Sequence, residues 1–139
     1  MKTRKGFTLL ELMIVVVILG VLALIAVPAL LNAVKQSRES AVMGNVSAAS
    51  STVSSRLAIG AAIDTAGGGA DDVVTLLNAS SENPFTGAAA FVAGACGAGE
   101  VGILDNADGS YAISGCDGDG VELTTKTIFA PEEAAAINL

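Results

Sequence analysis

The chain has 139 residues, enough for one domain with a long appendage but too few for two full domains. Hydrophobic residues make up 52% of it, charged residues 15% and aromatics 4%, which is not the balance of an ordinary core. The formal net charge of −7 is unevenly spread: Lys2, Arg4 and Lys5 open the chain, and four cations face fourteen carboxylates after them. An acidic body of this kind repels phosphate backbones, so nucleic-acid binding is not expected. The chain has no His, the commonest metal ligand and general base. Composition therefore argues against an enzyme, a resident cofactor or a metal site, and against a cytosolic protein.

Residues 12–31 carry no charge at all. As a helix they would be about 30 Å long, the thickness of a bilayer's hydrocarbon layer. Three cations precede the run, and Lys35 and Arg38 follow it, so the bias toward a cytoplasmic N-terminus is modest. A secretory signal peptide, a permanent anchor and a buried core helix all compete for this segment. The run is longer than a signal peptide needs, and Leu31-Asn32-Ala33 is a poor small-x-small cleavage site. A core helix would need partners on every side that so short a chain does not have.

Glu11 points to a sharper reading. A carboxylate deep in a membrane costs up to about 2.5–3.5 kcal/mol and is usually paired. Cleavage between Gly6 and Phe7 would create an α-amino group four residues before Glu11, able to neutralise it on the same helix or on a neighbouring one. The alternative is an interfacial Glu that reaches out to the headgroups.

The run from Lys2 to Val16 (KTRKGFTLLELMIVV) resembles the N-terminus of a type IV prepilin: a basic leader ending in Gly6, then Phe7, then Thr-Leu-hydrophobic-Glu11 opening an apolar helix. The resemblance is close over roughly the first quarter of the chain and general beyond it. It implies cleavage after Gly6 by a prepilin peptidase and N-methylation of Phe7. It also implies pairing of Glu11 with the Phe7 amino group of an adjacent subunit during assembly, and helix-weakening roles for Gly20 and Pro28. Pro28 lacks a backbone donor, and Gly20 costs about 1 kcal/mol relative to Ala, so both suit that role.

Beyond the apolar run, Val42, Val46, Ala49, Val53 and Leu57 recur at helical spacing as one apolar stripe, with serines on the remaining surface. One helix is predicted from about Phe7 to Ile59, its second half packing on a head domain rather than forming an isolated coiled coil. Residues 60–70 read as a linker, and 71–77 as a short helix with acidic residues at its N-terminal end. Residues 80–87 have turn chemistry, with Asn83 biased to extended backbone before Pro84. Strands are predicted near 89–93, 100–105, 111–114 and 121–129, with Asn106-Ala107-Asp108-Gly109 turning between the second and third.

Cys96 and Cys116 are the only cysteines. In an extracytoplasmic domain they read as a disulfide, against two buried free thiols in a cytosolic one, and such a loop is common in the family. Closing it would stabilise by roughly 3 kcal/mol. Residues 97–102 match G-x-G-x-x-G but are followed by a hairpin, so they read as a glycine-rich approach to a strand rather than a nucleotide site. Asp105, Asp108, Asp117, Asp119 and Glu122 could offer oxygens to calcium, but they lack the spacing of an EF-hand loop and read as turn formers. Asn45-Val46-Ser47 and Asn78-Ala79-Ser80 match the glycosylation sequon without further support.

The expected fold is α+β: a leader (1–6), an assembly half (7–31) and an amphipathic half (32–59) of one helix, and a small antiparallel sheet head (60–139). The expected function is a structural subunit of a type IV pilus, inserted in the inner membrane with its head extracytoplasmic and assembled into a surface filament of identical subunits. The expected partners are other copies, the prepilin peptidase and the inner-membrane assembly machinery. A pseudopilin of a type II secretion system is the near rival. From a different class, the alternative is a monomeric membrane-anchored binding domain with Phe7 left uncut.

Overall fold

The structure is a computed structural model that describes residues 6–61, 63–65, 72–106 and 108–130. Helix α1 (Leu9–Ala58) takes up 50 residues. It is followed by a short helix α2 (Val73–Asn78) and strands β1 (Phe91–Ala93), β2 (Val101–Asp105), β3 (Ser110–Cys116) and β4 (Glu122–Phe129). The chain divides into two compact units, Met1–Gln36 and Ser37–Leu139, and α1 contributes to both.

In the first unit every described residue is exposed. The helix passes through Gly20 and Pro28 without interruption. It is long and apolar enough to cross a membrane, and none of that apolar stretch is buried.

In the second unit the stripe foreseen at helical spacing turns inward: Val42, Val46, Ala49 and Val53 are buried and Leu57 packs against them. Ser50 is buried with them, and its hydroxyl donates to the carbonyl of Val46 at 2.7 Å, so no polar atom is left unpaired. The helix stops at Gly60, whose φ of 66° suits a residue without Cβ. The Gly60 N–H donates to Leu57 O and the Ala61 N–H to Arg56 O, at 3.1 and 3.0 Å, in the double-bonded pattern that closes helix C-termini. Of the predicted linker, only residues 60, 61 and 63–65 lie within the described residues.

The sheet order is β1-β2-β3-β4. Val101, Ile103 and Ile113 line its buried face with Phe91, Val73 and Leu77. Gly115 lies on the helix side: a Cβ there would come within 2.6 Å of Val46 and 3.0 Å of Val42, so the missing side chain lets α1 approach. The predicted hairpin is present, with the Asn106 N–H donating to Ser110 O at 2.9 Å.

The α+β architecture is as expected, but one edge of the sheet departs from the antiparallel expectation. β2–β3 and β3–β4 are antiparallel, whereas β1 pairs with β2 in parallel, Phe91 opposite Val101. Parallel neighbours normally need a connection of a dozen or more residues. Here the return is shorter because the connecting loop lies directly on the sheet. A Cβ at Gly102 would meet Gly94 O at 2.3 Å and Cys96 N at 2.6 Å, so only glycine lets the loop cross there.

α2 is capped by Asp72, whose carboxylate accepts from the Val74 N–H at 2.9 Å and the Thr75 hydroxyl at 2.7 Å. Its acidic start was foreseen, though Asp71 lies outside the described residues. Its last residue, Asn78, holds β1: Oδ1 accepts from the N–H groups of Ala90 and Phe91, and Nδ2 donates to Phe91 O. The second sequon therefore has its amide engaged in the fold.

Candidate assembly site at the start of the long helix

Lys2, Arg4 and Lys5 of the basic leader lie outside the described residues. Gly6 has nothing within 4 Å of where a side chain would stand, and Phe7 is 85% exposed, so the Gly6–Phe7 bond lies open ahead of the helix. In the uncut chain the Phe7 nitrogen is a peptide nitrogen and carries no charge to offer Glu11. The structure gives Glu11 another partner. Its Oε2 accepts from the Thr8 N–H at 3.0 Å and the Thr8 hydroxyl at 2.9 Å, while the Glu11 N–H donates back to Thr8 Oγ1 at 3.3 Å. This reciprocal arrangement is a capping box, and it satisfies donors that the first turn of any helix leaves open.

Thr8 is the partner of Glu11 that reading for charge and cleavage passed over. Its signal was present as Thr-x-x-Glu just before an apolar run. The box lets a carboxylate sit at the edge of the apolar segment with its hydrogen bonds made. Around it, Leu10, Met13, Ile14, Val17 and Ile18 line an apolar surface concavity of about 280 Å³.

Gly20 and Pro28 sit in regular helix, with open space beside Gly20. Cys96 and Cys116 are joined in a disulfide with Cα atoms 5.8 Å apart, far along the chain from Glu11. Residues 97–102 run into β2 and the β2–β3 hairpin, with no helix after them among the described residues.

Of the acidic residues, Asp108 and Asp117 act in turns, whereas Asp105 ends β2 and Glu122 opens β4. Asp108 accepts from the Ser110 hydroxyl at 2.7 Å and the Ser110 N–H at 2.9 Å, and these bonds, the hydroxyl's first, hold its carboxyl below the usual aspartate range. Asp117 accepts from the N–H groups of Asp119 and Val121 at 2.9 and 2.8 Å, shaping the β3–β4 turn. Glu122 accepts from the Thr125 hydroxyl. Asp105 faces Tyr111 across the β2–β3 ladder, where burial first and the nearby carboxylate second push the phenol up.

Residues 1–27 match the family model for the prokaryotic N-terminal methylation motif. The chain is 44% identical over 57 residues to Fimbrial protein Q of Moraxella bovis, an alignment covering 41% of this chain and 36% of that one. It is 58% identical over 40 residues to the type IV major fimbrial protein FimA of Dichelobacter nodosus (29% and 26%). It is 71% identical over 28 residues to a fimbrial protein of Pseudomonas aeruginosa (20% and 18%). The chain thus spans no more than 36% of the length of these relatives. No solved structure matched it. The methylation motif and the type IV relatives match the N-terminal part of the chain, and a long helix whose second half packs on a four-stranded sheet is consistent with the type IV pilin fold.

Proposed function

We propose that the chain is a structural subunit of a type IV pilus. It enters the inner membrane as a precursor with its head extracytoplasmic, is cut after Gly6 by a prepilin peptidase, and is methylated on the new Phe7 amino group. The inner-membrane assembly machinery then polymerises it with copies of itself through the first half of α1, and it carries no catalytic function. The observation that carries this reading is a helix apolar on every side and exposed on every side, headed by the Phe7-Thr8-x-x-Glu11 arrangement.

Such a helix is solvated by lipid before assembly and by identical helices after it. The hydrophobic effect is then nearly neutral between the two states, and packing and polar pairing must supply register. On processing, the Phe7 nitrogen becomes a cation beside the capping box, and Glu11 exchanges part of its bonding with Thr8 for the amino group of a neighbouring copy. Gly20 and Pro28 are where the helix yields most cheaply if filament packing requires it.

The test is the intact mass of the protein in sheared cell-surface material, with and without reduction. The expected species begins at Phe7, is one methyl group heavier than its sequence, and gains two hydrogens on reduction. A full-length chain found only in membranes overturns the reading. Glu11→Ala is expected to be inserted and cleaved but not incorporated, whereas Thr8→Ala, which keeps the carboxylate, retains incorporation. Normal pili built from Glu11→Ala subunits would remove Glu11 from the mechanism.

A further inference from the structure

We infer that the Cys96–Cys116 disulfide is a redox-sensitive latch on the surface strap formed by residues 82–89, with Phe85 as the bolt. The juxtaposition does not depend on the filament reading. The Phe85 ring lies between two glycines, one following each cysteine. A Cβ at Gly99 would stand 2.7 Å from Phe85 Cδ2, and one at Gly118 would stand 2.6 Å from both Cδ1 and Cε1. Any side chain at either position would expel the ring. Arg38 of α1 closes the slot, with Cζ 5.6 Å from the ring centroid, within cation–π range.

Asn83 fastens the strap beside the slot. It is buried, its Nδ2 donates to Ala98 O at 3.0 Å, and its Oδ1 accepts from the Phe85 and Thr86 N–H groups. Residues 86–89 of the strap are exposed.

The two glycine walls belong to different segments, the β1–β2 loop and the β3–β4 turn. Besides the disulfide, they are joined by the Gly99 N–H donating to Asp117 O at 2.7 Å and the Cys116 N–H donating to Glu100 O at 3.0 Å. The rest of the sheet does not rely on this junction. β1 is held by Asn78, and the two antiparallel ladders pair β2 to β3 and β3 to β4 along their lengths. Opening the disulfide therefore widens the slot and frees the strap while the helix-on-sheet core stays closed.

Cys96 is half-buried and Cys116 buried, so Cys96 is the more open residue of the pair and the side from which attack is expected. One thiolate of a dithiol attacks Cys96 Sγ, and Cys116 leaves as a thiolate and takes up a proton. The second thiol then resolves the mixed disulfide, releasing the Cys96 thiol and a cyclic disulfide. The protein disulfide is reduced to two thiols, and the dithiol is oxidised and supplies both protons.

The experiment is hydrogen–deuterium exchange of the full chain in detergent micelles, before and after reduction with dithiothreitol. Reduction is expected to bring exchange in 82–89 close to the unprotected rate, a gain of about tenfold, while the β2, β3 and β4 amides, sped together by the lost loop constraint, remain protected well beyond the strap, the signature of local opening over a closed core. The Cys96→Ser/Cys116→Ser variant should show the same pattern without reductant. Phe85→Ala should free the strap with the disulfide intact. An unchanged strap on reduction, a strap and sheet that open together, or a strap still protected in Phe85→Ala would each overturn the latch.

Discussion

The two stretches of α1 contrast sharply. Up to Gln36 the helix is rich in Leu, Ile and Val, and all of them are exposed. From Ser37 onward it is rich in Ser and Ala, yet there Val42, Val46, Ala49, Ser50 and Val53 are buried. The more hydrophobic stretch is the uncovered one. Burial here follows pattern rather than hydrophobicity: a stripe with polar flanks can be matched by one sheet face, whereas a helix apolar all round needs a surrounding medium.

Substitutions should respond to this contrast, and the largest effect is expected at Phe91. It is 1% exposed, and Phe91→Ala should cost the head about 3–5 kcal/mol by chemical denaturation of the full chain in micelles. Ile18→Ala, which removes similar chemistry from an exposed site, should leave head stability within about 0.5 kcal/mol. Equal losses at the two positions would break the comparison. Next in size, the Cys96→Ser/Cys116→Ser pair should lower head stability by about 3 kcal/mol through the freed loop. Asn78→Ala leaves the Ala90 and Phe91 N–H groups without their acceptor and should cost about 1–3 kcal/mol, with exchange at β1 rising first.

The smallest effect is at the β2–β3 turn. Asp108 titrates lower in the folded chain than its ordinary value of 3.8, because of its bonds from Ser110. Its contribution is therefore complete above that ordinary value and is lost as pH falls through the depressed folded one. Denaturation midpoints followed from pH ~5 down to ~2.5 should fall less steeply in Asp108→Asn than in the parent chain.

Much of the fold was legible because its signals are local. The 4-3-4-4 spacing from Val42 to Leu57 marked the buried stripe. Asn106 to Gly109 marked the hairpin, and two cysteines behind a membrane-length helix marked the disulfide. At the candidate site Gly6, Phe7 and Glu11 stood out, while Thr8 did not, although a capping box is also a local signal. Asn78 and Asn83 could not be found in this way. As residues in a turn-rich stretch they look interchangeable, and what distinguishes them is partners twelve to fifteen positions away.

By itself the sequence determined the prepilin-like N-terminus, the all-apolar first stretch of α1, the inward stripe of the second and the α+β class. Each rests on residue identity or on a short repeat along one element, where covalent geometry sets which side chains share a face. Only the tertiary structure decided that β1 runs parallel to β2, that Asn78 and Asn83 hold strand and strap, and that Phe85 sits between Gly99 and Gly118. Those features come from chain segments closing on one another, where the absence of a Cβ or the reach of an amide matters only once the partner backbone is in place.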